Sequence, residues 1–269
     1  MERRKRPEPR HERAARWLAE AHARREPYGP LPPELAPASP DDAYAIQDSF
    51  VALRAAERGG IVGYKIALST PAMQAFVGVS TPQAGCVLHS TVLGSPARVR
   101  AADYVRLIVE FEIGVRLAGD LPAADAPFTR ERVAAAVGGV MPALELADDR
   151  GADYETLRRH PLDLIADNAW NEGAVLGEAR DWRGLDLAAV RGRAHINGAP
   201  VGEGTGADAL GHPFDAVAWI GGHLASLGRG LLRGDFVITG SLVTSKFVRP
   251  GDRIAFELEG LGAVALAVE

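Results

Sequence analysis

The stretch "RLIVEFEIGVRL", residues 106–117, decides how the chain is read. Side chains alternate along a strand, so residues i and i+2 share a face. Val109, Phe111, Ile113, Val115 and Leu117 then make one apolar face, while Glu110, Glu112 and Gly114 share the other. The two carboxylate stems stand roughly 7 Å apart, two rises along a strand. Two readings are open. The glutamates can be the wet face of a half-exposed sheet. Alternatively they hold a hard divalent cation, because like charges this close raise one another's pKa unless a cation sits between them.

The whole chain bounds the choice. Its 269 residues are 47% hydrophobic and 24% charged, enough for a sizeable core, and 30 glycines and 18 prolines imply many turns and much β-structure. A net charge of -5 gives no electrostatic case for nucleic acid or an anionic membrane as partner. Cys86, the single cysteine, rules out an intrachain disulfide or a zinc site built within the chain on two cysteines. It fits a reducing compartment, which for this chain is expected to be the cytoplasm. No apolar run approaches the ~20 residues of a membrane span. Residues 1–27 are basic without the apolar segment of a secretory signal, and read as a frayed arm leading into a helix.

A first helix is expected over His11 to Arg25, with Ala14, Trp17, Leu18 and Ala21 on its inner face. A second opens with Ser39 as cap and Pro40 at its first position. It buries Ile46, Phe50 and Leu53, and Gly59-Gly60 ends it. Strands follow in "IVGYKIAL" (61–68), "VEFEIGVRL" (109–117), "VMPALELA" (140–147) and "DFVITGS" (235–241), with two more in "DRIAFELEGLGAVALAVE" (252–269). "GRAHINGAPVGEG" (192–204) reads as a hairpin on an Asn197-Gly198 type I′ turn. Helices are expected at 129–137, capped by Thr129, and at 213–230. The pattern is α+β, helical first and mostly β afterwards.

Two further residues bear on the opening question. Glu145 sits between Leu144 and Leu146 in an apolar strand, where it either meets water or needs a partner. Lys65 is the only charge in "IVGYKIAL" and shares its face with the small residues Gly63 and Ala67. It is either a snorkelling edge lysine or an ammonium facing an anionic substrate. Asp148 and Asp149 read as turn residues. His223 reads as a satisfied helix residue. Ser241 follows a strand without the His–Asp partners of a nucleophile.

The ordered segments "DAYAIQ" (42–47), "GYKIALSTPAMQAFVGVSTPQAG" (63–85), "VEFEIGV" (109–115), "VMPALELADDR" (140–150), "DLIADNAWNEGAVLG" (163–177) and "GDFVITGSLVTSKFVRPGDRI" (234–254) cover nearly the whole chain. Together they resemble the fumarylacetoacetate hydrolase superfamily, and within it the 2-keto-4-pentenoate hydratase and 4-oxalocrotonate decarboxylase branch. The resemblance implies a mixed β-roll over residues 61–269 with a smaller helical portion over 1–60. It implies Mg²⁺ or Mn²⁺ on Glu110, Glu112 and Glu145, and Lys65 as the active-site lysine. Gln83, Asp167, Asn168, Asn171 and Ser241 are the residues it places near a small 2-oxo acid substrate, in a homo-oligomer. Hydration of a 2-hydroxydienoate is the expected reaction. Decarboxylation of a 2-oxo-enedioate and a catalytically lapsed 2-oxo-acid-binding protein are the alternatives. Two departures bear on that choice. Gln83 stands where hydratases of this branch usually carry an acid. Trp170 and Asn171 stand where small hydroxyl residues are usual.

Overall fold

The computed structural model describes residues 9–269; residues 1–8, the tip of the basic arm, lie outside the described residues. The helices are α1 (Pro9–Ala23), α2 (Pro40–Arg58), α3 (Pro71–Val77), α4 (Arg130–Ala136), α5 (Tyr154–Arg159), α6 (Pro161–Ala166) and α7 (Pro213–Ser226). The strands of the first half are β1 (Ile61–Ala67), β2 (Gln83–Leu88), β3 (Val92–Gly94), β4 (Ala97–Val99), β5 (Leu107–Leu117) and β6 (Val137–Asp148). Those of the second half are β7 (Asn171–Leu176), β8 (Arg191–Ile196), β9 (Ala199–Thr205), β10 (Phe236–Phe247), β11 (Arg253–Leu258) and β12 (Gly262–Val268). No helix among the described residues is long and apolar enough to cross a membrane.

Local chemistry sets most boundaries. The Ser39 side chain accepts from the Asp42 N–H at 3.2 Å, and Gly59 leaves α2 at φ 79°. Thr129 caps α4 in the same way through the Arg132 N–H. Asn197 and Gly198 take φ 55° and 78°, as a type I′ turn requires. Some expectations shift. The first helix ends at Ala23, and Trp17 is only half-buried. Leu53 is 42% exposed, and Val51 is buried in its place, because α2 packs on α1 along one side and on the body along another. The 235–241 strand runs on to Phe247.

The strands form two mixed sheets, ordered β2-β1-β10-β5-β6-β7-β3 and β4-β12-β11-β8-β9. In the larger sheet β1 runs parallel to β10 and β5 is antiparallel to both β10 and β6. β2 near one edge touches β7 near the other, so the sheet rolls up. This is the expected α+β fold with a mixed β-roll. The apolar face of β5 turns outward from the roll onto the second sheet, with Phe111 and Phe256 rings 5.6 Å apart. The glutamate face turns inward.

Candidate active site

On the inner face of the roll Val87, Phe236, Ile238, Met141 and Ala143 pack into an apolar plug. Beside it the same face carries Lys65 of β1, opposite Ile238, Glu112 of β5, opposite Ala143, and the facing pair Glu110 of β5 and Glu145 of β6. This face is not wet. Glu112 and Glu145 are fully buried, and Lys65 is 3% exposed on a strand paired on both sides. The solvated-face and snorkelling readings both fall on that observation. The space that Gly63 leaves beside Lys65 is filled by the Phe236 ring, and Gly85 clears the room that the lysine stem needs.

Glu110 and Glu145 are direct cross-strand partners, a placement that like charges disfavour. One carboxylate oxygen from each of Glu110, Glu112 and Glu145 lies within 4.8 Å of the other two. Each buried member is held by one oxygen and keeps the other. Glu145 Oε1 takes Lys65 Nζ at 3.1 Å and the Asn171 amide at 2.9 Å. Glu112 Oε2 takes the N–H of Gly240 at 2.6 Å. Gly240 sits at φ 101°, and a Cβ there would meet Ser69 Oγ at 2.6 Å, so the β10 bulge that aims this N–H needs glycine. Glu112 Oε1 and Glu145 Oε2 are buried without a hydrogen-bond partner.

The electrostatics follow. Burial pushes the Glu110 carboxyl up to about 7, with the Glu145 charge adding and Lys65 opposing. Burial, then the Glu145 and Glu110 charges, push Glu112 well above the usual range. Burial alone would pull Lys65 down, but the three carboxylates hold it above its ordinary value. Three carboxylates against one ammonium leave two negative charges uncompensated. A divalent cation fits this donor set in charge, in its all-oxygen chemistry and in the two free buried oxygens.

A cavity of about 340 Å³ opens onto this cluster, with Lys65, Glu110 and Ser241 in its wall. Lys65 Nζ also reaches the Ala169 carbonyl at 3.5 Å. Residues 168–170 run left-handed at φ 51°, 47° and 62°, and bring Ala169 and Trp170 to the cavity wall. The remaining expected site residues are placed differently. Asp167 is locked to His22 at 2.6 Å and Arg150 at 2.5 Å. Asn168 clasps the backbone of Cys86. Asn171 serves Glu145, and Ser241 Oγ accepts from the Phe111 N–H while donating to the Val243 carbonyl. Gln83 lies on the Lys65 face of the sheet, 2% exposed, with both amide atoms unpartnered. Gln83, Asp167, Asn168 and Asn171 do not line the cavity themselves, and of these Asp167, Asn168 and Asn171 are held by the partners just named. His223 stacks on Trp219 at 5.7 Å, as a helix residue. Asp148 and Asp149 do hold the turn, accepting from the N–H groups of Arg150 and Gly151.

Residues 67–269 match the family described as Fumarylacetoacetate (FAA) hydrolase C-terminal. The chain belongs to the fumarylacetoacetate hydrolase family. It is 34% identical to 2-keto-4-pentenoate hydratase of Paraburkholderia xenovorans, across 96% of this chain and 94% of that one. It is 31% identical to 2-oxo-hept-4-ene-1,7-dioate hydratase of Escherichia coli, across 95% and 96%. Among solved structures, 4-oxalocrotonate decarboxylase from Pseudomonas putida G7, complexed with magnesium and adipate, superposes with a TM-score of 0.89. It is 27% identical, with 99% of this chain and 100% of that chain covered.

Proposed function

We propose that this member of the family is a divalent-metal-dependent lyase acting on a 2-oxo acid or its 2-hydroxydienoate enol, and that it is a hydratase. The observation that carries the reading is the buried Glu110–Glu112–Glu145 cluster, with two free oxygens and Lys65 at the floor of a cavity. The hydratase relatives support the reaction type, and the magnesium of the decarboxylase structure supports Mg²⁺, or Mn²⁺, as the ion. When bound, the cation supplies Lewis-acid polarisation of the 2-oxo group.

The chain's own residues do the rest. Gly240 and Asn171 each hold one oxygen of Glu112 and Glu145 and leave the other free for a cation. Lys65 Nζ carries a proton, offsets the negative charge that develops on the C2 oxygen, and serves the keto–enol exchange. Gln83 takes no proton, so proton transfer in hydration falls to Lys65. The same proposal has the chain working in the cytoplasm as a homo-oligomer, with residues 1–60 a helical portion and 61–269 the catalytic body. The family resemblance and the free thiol of Cys86 support that part.

Gln83 favours one second reading. An amide on the lysine face, where related hydratases carry an acid, suits loss of CO₂ from a 2-oxo-enedioate, which needs no activated water. A product-resolved assay separates the two. With Mg²⁺ we expect hydrated product from a 2-hydroxydienoate, lost on chelation, and Gln83→Asp should raise that rate by up to about 10²-fold. Stoichiometric CO₂ from a 2-oxo-enedioate without hydration would put the decarboxylase in its place. No turnover of either class would leave a binding protein.

A further inference from the structure

The cavity wall is chemically lopsided. Lys65 is its only cation among the described residues, and it is already engaged by Glu145 at 3.1 Å. The other charges in the wall are carboxylates, Glu110 and Asp208. Away from the acidic cluster one side of the wall is apolar, built from Met73, Val77, Leu157, Leu164, Tyr154 and Trp170, while Ser69, Thr70, Thr244 and Ser245 contribute only uncharged hydroxyls.

Two arginines whose partners adjoin Trp170 and Tyr154 are spent on structure. Arg150 is held by Asp167 at 2.5 Å, and Arg106 pairs with Asp149. The Tyr154 hydroxyl donates to the same Asp149 at 3.1 Å, which leaves its ring for the cavity. Trp170 is equally fixed. Its ring meets Tyr28 edge-on at 5.4 Å and Tyr154 at 6.2 Å, on a left-handed backbone that gives the side chain no easy way out.

We propose that Trp170 and this apolar wall select a monocarboxylic 2-oxo acid, or its dienol, whose tail is alkyl or aryl, and reject one that ends in a second carboxylate. This deepens the function proposed above and rests on it, since it takes the C1 carboxylate and C2 oxygen to lie at the Lys65–glutamate end. A terminal carboxylate at the other end would lose its water against Trp170 and Leu157, find no cation, and share the cavity with Asp208. An apolar tail loses nothing there and gains contact with a rigid aromatic wall. The inference also bears on the reaction, because the decarboxylase reading requires a dioate.

The test compares two saturated acids of equal length that cannot be hydrated, 2-oxohexanoate and 2-oxohexanedioate. Binding is measured by calorimetry on the full chain with Mg²⁺. The monoacid should bind about tenfold tighter or more. Trp170→Ser should weaken the monoacid severalfold and leave the dioate unchanged. Trp170→Phe should keep the preference, because the indole N–H has no partner to lose. Met73→Arg, at a position 44% exposed on the cavity rim, should narrow the ratio by giving the dioate a cation. Equal or tighter binding of the dioate by the wild type overturns this inference while leaving the function proposed above intact. Binding of neither acid overturns both.

Discussion

Among the described residues, two buried acidic clusters are built on opposite principles. In the first, Glu110, Glu112 and Glu145 face one ammonium, Lys65, and two carboxylate oxygens stay unpaired. In the second, Asp167 and Glu172 are surrounded by cations. His22 bridges them at 2.6 and 3.1 Å, Arg54 and Arg58 reach Glu172 at 2.6 and 2.8 Å, and Arg150 reaches Asp167 at 2.5 Å. Burial acts alike on both clusters, but the outcome differs in sign. It pushes Glu110 and Glu112 up, whereas around Asp167 and Glu172 the cations overcome it and hold both acids below the usual range. The compensated cluster is a fastener. It ties α1 and α2 to the turn that carries the left-handed 168–170 run, and so fixes the cavity wall from behind. The uncompensated cluster carries an excess of negative charge, which protons relieve in part and a bound cation would neutralise.

The largest expected effect is on turnover. Lys65→Ala removes the one ammonium of the uncompensated cluster and should cut kcat by about 10²–10⁴-fold. The secondary structure should survive, read by circular dichroism, and divalent-ion binding should persist. Wild-type activity in this variant would erase the functional difference between the clusters.

The next effect is on stability, and the same substitution should give opposite signs in the two places. Glu172→Gln breaks a satisfied buried network and should cost about 3–5 kcal/mol in denaturant unfolding. Glu110→Gln relieves repulsion and should leave the metal-free protein as stable as the wild type or more so.

The acid response sharpens the contrast further. Asp167 and Glu172 have folded pKa values below their unfolded ones, from ordinary values of 3.8 and 4.5. Their stabilisation is complete above about pH 4.5 and is lost as pH falls through the depressed folded values. His22, raised from 6.5, acts the other way: its share is complete below that value and is lost as pH rises through the folded one. Melting followed from pH 3 to 8 should therefore show an acid-labile limb that Glu172→Gln flattens. An unchanged limb in that variant would show that the network does not fasten the fold.

Legibility in the sequence tracks the same contrast. The uncompensated cluster is readable in part: strand alternation fixes the faces of Glu110, Glu112, Glu145 and Lys65, and the family resemblance joins them into one site. The fastener is not readable, because its pairs span the chain: His22 meets Asp167 across 145 residues. The family resemblance puts Asp167 and Asn168 near the pocket, and the next residues, Ala169 and Trp170, do line it, yet the Asp167 and Asn168 side chains turn back to His22, Arg150 and Cys86. Helices α3, α5 and α6, with seven, six and six residues, are too short to show a period. They supply Met73, Val77, Leu157 and Leu164, so the apolar half of the cavity was hidden with them. Gly240 gave a weak signal, a glycine in a strand, but its bond to Glu112 depends on a bulge that sequence does not show.

The central claim is that the three glutamates are a divalent-cation site, and direct titration with Mg²⁺ or Mn²⁺ tests it. Calorimetry on the metal-stripped protein should show one ion per chain. Glu112→Gln should weaken that binding by about tenfold or more, while Glu172→Gln, measured under conditions where it stays folded, should leave it unchanged. Absence of binding by the wild type, or equal binding by wild type and Glu112→Gln, would contradict the account.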